Sequence, residues 1–230
     1  MTQKLTILFD LDGTLVDTAP DLMGAHNYVM KKFGYSSKSV EDIRNLVGKG
    51  ASVLIGRSIW GSAKKEFSKV TDDKIKKEMV KEFISYYGKN IVNQSKLIGG
   101  VKEFLDWAKS NNISMGVCTN KQEHLSVDLL KKIKIYNFFD YVAGGNTFNH
   151  NKPNPKHLTD TIEILGGNVN KTLMVGDSET DSEAAIQAKI KFILVAHGYT
   201  EKDEKNIKHD FLINDFNMIK GISEKLLKIK

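Results

Sequence analysis

The 230-residue sequence predicts an α/β fold, a parallel-sheet core carrying an inserted α-helical domain. Three observations lead there. After residue 96, short apolar runs alternate with helical stretches of about 10 to 15 residues, the pattern of βαβ units. Between residues 37 and 90 the texture is helical throughout, without strand-like alternation. Several apolar runs also end in polar clusters, and a doubly wound sheet gathers its ligands just beyond the carboxyl ends of its strands.

Leu5 to Phe9 (LTILF) is a β-rich apolar run that stops at acids and a glycine, which predicts a buried strand leading into a loop. From about Thr18 to Phe33 the period turns helical, with Gly34 placed as a C-cap. The stretches VEDIRNLVG, ASVLIGRSIW and DDKIKKEMVKEFISYYGKN then read as helices of an insert of about 70 residues between the first two strands. Beyond it come a helix at Val101–Ser110, a strand at Ile113–Cys118, a helix at Glu123–Lys132 and a short strand at Asp140–Ala143. A helix at Lys156–Leu165, a strand at Thr172–Val175, a helix at Glu179–Ala188 and strands at Phe192–Ala196 and Phe211–Ile213 follow. A helix from Phe216 onward closes the chain. The expected division is a core of residues 1–16 and 92–230 and a helical domain of residues 17–91.

Composition narrows the function. Hydrophobic residues make up 40% and charged residues 27%, which is ordinary globular material and not disordered chain. One cysteine excludes an internal disulfide and a cysteine-rich zinc module. No apolar run reaches the roughly 20 residues of a membrane helix, and the N-terminus lacks the shape of a signal peptide. The expectation is a cytoplasmic protein, monomer or homodimer, without a membrane partner. The net charge is +6 and the sequence pI about 9.1, a range that nucleic-acid binders share. Yet only Arg44 and Arg57 among the 34 basic residues are arginines. Arginine is the residue suited to bidentate phosphate and base contacts, so a dedicated nucleic-acid partner is not expected.

Four polar clusters lie where one sheet edge would collect them: Asp10-Leu11-Asp12-Gly13-Thr14, Thr119-Asn120-Lys121, Lys152-Pro153-Asn154-Pro155, and Gly176-Asp177-Ser178-Glu179-Thr180-Asp181. Together they supply carboxylates, a hydroxyl, an amide and a Lys. Carboxylates crowded at one point repel unless a cation neutralises them, and an all-oxygen ligand set suits Mg²⁺. A phosphoryl group needs positive charge and donors about its oxygens, which Mg²⁺, Lys152, Thr119 and the backbone N–H groups of the Asp10-Leu11-Asp12-Gly13 loop could supply. A carboxylate is a competent nucleophile for phosphoryl transfer, and a second one two residues on can protonate the leaving alcohol and then activate water.

These four segments, in this order and spacing over nearly the whole chain, resemble the four motifs of the haloacid dehalogenase superfamily of aspartate-nucleophile phosphatases. The resemblance implies a Rossmann-like sheet with the Asp10 strand central and the insert as a helical cap. It implies Asp10 as nucleophile and Asp12 as general acid/base, the latter also ligating Mg²⁺ through its backbone carbonyl. Gly13, Thr14, Thr119 and Asn120 would bind the phosphoryl group, and Lys152 would stabilise the nucleophile and the transferring charge. Asp177 would ligate the metal alongside Asp10, and Asp181 would support it mainly from behind the direct ligands.

Within the superfamily, Asp12 separates the chain from true dehalogenases, because a halide leaves without a proton and an alkoxide does not. Leu22 stands where the related hexose-phosphate mutases carry a cap histidine, so mutase chemistry is not expected. The opening FDLDGTLVDTAPDL and the cap segment Arg44-Asn45-Leu46-Val47-Gly48-Lys49-Gly50-Ala51 are similar to the phosphoglycolate phosphatase family. A Gly-Lys-Gly loop opening a helix suits an anion, and Arg44 and Lys49 are the candidate grips on a substrate carboxylate. The segment His197-Gly198-Tyr199-Thr200 resembles that family's Gly-Tyr segment, with no role carried over for His197. The expected activity is Mg²⁺-dependent hydrolysis of a small phosphorylated metabolite, 2-phosphoglycolate first. A phosphatase for a sugar phosphate, nucleotide or pyrophosphate is the rival, and a catalytically silent binding protein on the same fold is the remote one.

Overall fold

The computed structural model describes residues 5–60, 70–196, 198–200 and 202–227. Six strands make one wholly parallel sheet: β1 (Thr6–Phe9), β4 (Ser114–Cys118), β5 (Tyr141–Ala143), β6 (Thr172–Gly176), β7 (Lys191–Val195) and β8 (Phe211–Ile213). Their order is β5-β4-β1-β6-β7-β8, so β1 is internal, paired to β4 on one side and β6 on the other. The chain runs outward from β1 through β4 to β5, then returns to β6 on the opposite side. The reversal between β1 and β6 is the switch point at which such sheets bind ligands.

The central strands are apolar at nearly every position because both faces of the sheet are covered. Alternation sends Ile7 and Phe9 into one apolar cluster with Met115, Val117, Val175 and Ile193. Leu8, Cys118, Met174, Phe192 and Leu194 turn to the other. Helices α5 (Val101–Ser110), α6 (Glu123–Lys132) and α9 (Met218–Leu227) cover the first face; Phe9 meets Phe104, Phe139 and Phe216 there at 6.0, 6.1 and 6.3 Å between ring centres. Helices α7 (Lys156–Ile164) and α8 (Glu179–Gln187) cover the second through Leu158, Ile162, Ala184 and Ala185.

The insert is helical, as its texture predicted. It contains α1 (Ala19–Lys32), α2 (Val40–Arg44), α3 (Ala51–Trp60) and α4 (Val70–Lys89). Pro20 occupies the first turn of α1, where its missing N–H costs nothing, and Gly34 adopts φ +78° just past the end. Ser39 and Asp42 form a reciprocal capping box on α2. α4 packs on α1 and α3, burying Met79, Phe83 and Tyr87.

One feature differs from the sequence expectation. The two crossings between core and insert each form a two-residue strand, β2 (Val16–Asp17) and β3 (Lys96–Leu97), paired antiparallel. Two residues cannot display a period, so this clasp had no sequence signal. Asp21 reinforces it by accepting hydrogen bonds from the backbone N–H of Gln94 (3.0 Å) and from Ser95 N (2.8 Å) and Oγ (2.7 Å).

Candidate active site

Asp10 and Asp177 emerge side by side because β1 and β6 pair in register and both strands end there; Asp10 N still bonds Val175 O at 2.9 Å. The chain must then turn sharply away from β1. Gly13 makes that turn at φ +82°, and a Cβ on it would collide with Asp177 Oδ2 and crowd the Tyr199 ring. Asp177 is oriented by Thr14 Oγ1 (2.9 Å) and by the backbone N–H of Tyr199 (2.5 Å). Asp181 enters one turn into α8, where its Oδ2 accepts from Ser178 N (3.1 Å) and Ser178 Oγ (2.7 Å) and completes a capping box.

Asp10, Asp177 and Asp181 each offer a carboxylate oxygen within 4.8 Å of the others, and all three are buried. Lys152 Nζ sits among them, 3.0 Å from Asp10 Oδ1 and 2.5 Å from Asp181 Oδ1. Burial pushes the Asp10 carboxyl up to about 6; Lys152 works against that rise, while Asp181 and Asp12 add to it. Burial, then Asp10 and Asp181, push Asp177 well above the usual carboxylate range. For Lys152, burial alone would lower the ammonium's pKa, but Asp10 and Asp181 more than offset it and the group is shifted upward. One ammonium against three buried carboxylates leaves a negative excess, and Asp10 Oδ1 has no well-aligned hydrogen bond. Hard oxygen donors, crowded and under-neutralised, fit a divalent cation.

Asp12 lies outside that cluster. Its carboxylate accepts from Thr18 Oγ1 at 2.6 Å and from Lys121 Nζ at 2.7 and 3.1 Å. Lys121 also donates to Tyr87 Oη at 2.9 Å, and its Nζ stands 4.4 Å from the centre of that ring. Neither Lys121 nor Tyr87 figured among the expected site residues. Lys121 ends the Thr119-Asn120-Lys121 cluster that the sequence shows, but no role attached to it there; Tyr87 is 34 positions distant and carries no local signal.

Thr119 and Asn120 end β4 and are buried. Asn120 Nδ2 donates to Lys152 O and to Gly48 O, each at 2.9 Å, and so ties the core to the cap segment. A cavity of about 250 Å³ opens over these groups. Asp10, Asp12, Thr119, Asn120, Lys121 and Lys49 line its polar side, and Leu22, Leu54, Val80, Phe83, Ile84 and Leu125 its apolar side. The two expected carboxylate grips fare differently. Lys49 reaches the cavity but pairs with Glu179 at 3.3 Å, its side chain 42% exposed. Arg44 is not among the lining residues; it pairs with Asp17 at 3.1 Å and Glu41 at 2.6 Å. Tyr199 closes this outer group, donating to Asp17 and accepting from Ala19 N at 2.8 Å. His197 lies outside the described residues.

The family model for haloacid dehalogenase-like hydrolases matches residues 7–195, a span holding every acid of the site. The chain belongs to that family. This haloacid dehalogenase-like hydrolase is 37% identical to the phosphoglycolate phosphatase of Agrobacterium fabrum over 91% of its own length and 88% of the relative. It is 35% identical to that of Caulobacter vibrioides over 92% and 87%. Among solved structures it superposes on a predicted phosphoglycolate phosphatase from Haemophilus somnus 129pt with a TM-score of 0.87, at 32% identity, covering 97% of this chain and 99% of the other. Among the described residues, no helix of the hydrolase is long and apolar enough to cross a membrane.

Proposed function

We propose that this hydrolase is a Mg²⁺-dependent phosphatase that converts 2-phosphoglycolate to glycolate and phosphate through an aspartyl-phosphate on Asp10. The observation that carries the chemistry is the buried Asp10–Asp177–Asp181 cluster around Lys152, open at Asp10 to the cavity. The names of the relatives support the substrate. Residues 1–16 and 92–230 form the catalytic core in this reading, and residues 17–91 the cap.

Asp10, Asp177 and the Asp12 backbone carbonyl would hold the Mg²⁺, with Asp181 supporting them; when bound, the ion offsets negative charge on the acids and on the phosphoryl oxygens. The protein's own groups perform the transfer. Thr119, Asn120, Lys152 and backbone N–H groups of the Asp10-Leu11-Asp12-Gly13 loop hold the phosphoryl group in line with Asp10; the Gly13 N–H itself is spent on Val16 O at 2.9 Å, so Gly13 serves by its turn. An Asp10 oxygen attacks phosphorus, the phosphorus–ester oxygen bond breaks, and Asp12 gives that oxygen a proton. A water then attacks the aspartyl-phosphate, Asp12 takes its proton back, and phosphate leaves Asp10. The cap keeps other water away from the acyl phosphate.

The test is phosphate release from a panel of phosphate esters, with Mg²⁺ and with EDTA. Release is expected only with Mg²⁺, with 2-phosphoglycolate among the best substrates, and Asp10→Asn is expected to abolish it without unfolding the protein. Survival of most activity in Asp10→Asn would refute the assigned nucleophile. The apolar wall of the cavity favours the rival reading, a phosphatase for a bulkier metabolite. A sugar phosphate or nucleotide ranking well above 2-phosphoglycolate in kcat/KM would establish that reading instead.

A further inference from the structure

We infer that Lys121 takes the second anionic group of the substrate and so makes the enzyme selective for short phosphorylated acids over phosphate esters of neutral alcohols. This rests on the phosphatase reading above. In a phosphorylated two-carbon acid, the carboxylate carbon lies only two bonds, of about 1.5 Å each, beyond the ester oxygen. Asp12 serves that oxygen, so the group that grips the carboxylate has to stand beside Asp12.

Lys121 does so. Its Nζ is 2.7 Å from Asp12, it lines the cavity, and its side chain is 6% exposed. Among the described residues, the other cations near the site are committed differently, Lys49 included, although it also lines the cavity. Arg44 is held by Asp17 and Glu41 and does not line the cavity; Lys49 reaches out to Glu179; Lys152 is buried behind Asp10. An ammonium has three donors; Asp12 Oδ1 and Tyr87 Oη accept two at 2.7 and 2.9 Å, and the third, which faces only the longer 3.1 Å contact to Asp12 Oδ2, is the one a ligand oxygen would take over. Phe83, Leu22 and Leu125 line the same cavity, and a charge pair shielded from water is far stronger than one at the surface. Lys121 also directly follows Thr119 and Asn120, so one strand end would read both ends of a short substrate.

The experiment compares kcat/KM for 2-phosphoglycolate and for ethyl phosphate, which lacks the carboxylate, using the full-length enzyme with Mg²⁺. The wild type is expected to favour 2-phosphoglycolate. In Lys121→Gln, which can still hydrogen-bond Asp12 and Tyr87, that preference is expected to fall about 100-fold, the scale on which truncating one partner of a buried charge pair weakens binding. A residue acting only as a prop for Asp12 would slow both esters alike, and an unchanged ratio overturns the inference. So does a collapse of the ratio in Lys49→Met with none in Lys121→Gln. Should Lys121→Gln not fold, Tyr87→Phe carries the test, because it removes the hydroxyl that aims Lys121 while keeping the ring. A ratio lowered there supports the inference and an unaltered one overturns it. A wild-type ratio at or below one sinks the substrate reading and this inference together, whereas a high ratio retained in the variants sinks only the role of Lys121.

Discussion

Lys152 is the counter-charge on which the buried acids depend. Removing one partner from a buried ion pair strands the rest and costs about 3–5 kcal/mol. Lys152→Met is therefore expected to lower stability on that scale in urea denaturation without metal. Gly13 is constrained from two sides: a side chain at φ +82° costs about 1–2 kcal/mol, and a Cβ would also press on Asp177. Gly13→Ala should lose both stability and phosphate release, by more than backbone strain alone accounts for. His157 bears on acid stability. It is fully buried with neither ring nitrogen in a well-aligned hydrogen bond, and burial, assisted by Lys152 and His150 and opposed by the Gly144 backbone, lowers its pKa from 6.5 to about 3. A histidine whose folded pKa lies below its unfolded one gives stability that is complete above pH 6.5 and lost as pH falls toward 3. The slope is at most about 1.4 kcal/mol per pH unit. His157→Phe should flatten that part of the stability–pH curve, and an unchanged acid limb counts against the assignment. Single residues were legible in sequence where a motif announced them, as with Asp10, Asp12, Lys152, Asp177 and Asp181. Tyr87 was not, and Lys121 and Tyr199 stood in named segments without a role, because partners 34 to 182 positions away give these residues their contacts.

At the scale of elements, the strong periods were readable and the short pairings were not. The apolar runs of β1, β4, β6 and β7 fell within about two residues of their observed bounds, since burial on both faces leaves no choice of residue type. β2 and β3 escaped notice, because two residues of main-chain pairing leave no pattern. Their staple, Asp21, reads in sequence as an acid in the first turn of α1, favoured there by the helix dipole. In the fold it satisfies three donors on the opposite crossing. Asp21→Ala leaves those donors unpaired beside a buried site and should cost about 2–3 kcal/mol, the usual worth of hydrogen bonds to a charged group. Thermal melts and chemical denaturation measure it; a loss below about 0.5 kcal/mol would mean the clasp holds without its staple.

For the whole molecule, the sign of the net charge misleads. A chain of +6 encloses a site where three buried carboxylates outnumber their one ammonium. A cation that binds only the folded state stabilises it by mass action, about 2.7 kcal/mol at 100 times its dissociation constant. In a chain of this size that corresponds to a rise of roughly 5–10 °C in Tm. Mg²⁺ should produce this rise in the wild type and little of it in Asp177→Asn. Equal rises in both would place the ion elsewhere. The insert and the sheet are also joined beyond the chain crossings, by Lys49–Glu179 and by Asn120 to Gly48 O. The Gly48–Lys49 loop is thus fixed through one partly exposed ion pair, which salt screens, and one buried amide, which it does not.

The sequence by itself determined the sheet, the helical insert and the four acid and lysine clusters, because strand burial, helical period and motif spacing are all local properties of the chain. Only the tertiary structure decided which cations remain beside Asp10 and Asp12. Lys49, between Gly48 and Gly50, and Arg44, in the same segment, looked suited to an anion. Folding brings Asp17, Glu41 and Glu179 to them and leaves Lys121 next to Asp12. Charge pairing over short distances is settled by which side chains meet, and that is a property of the packed molecule.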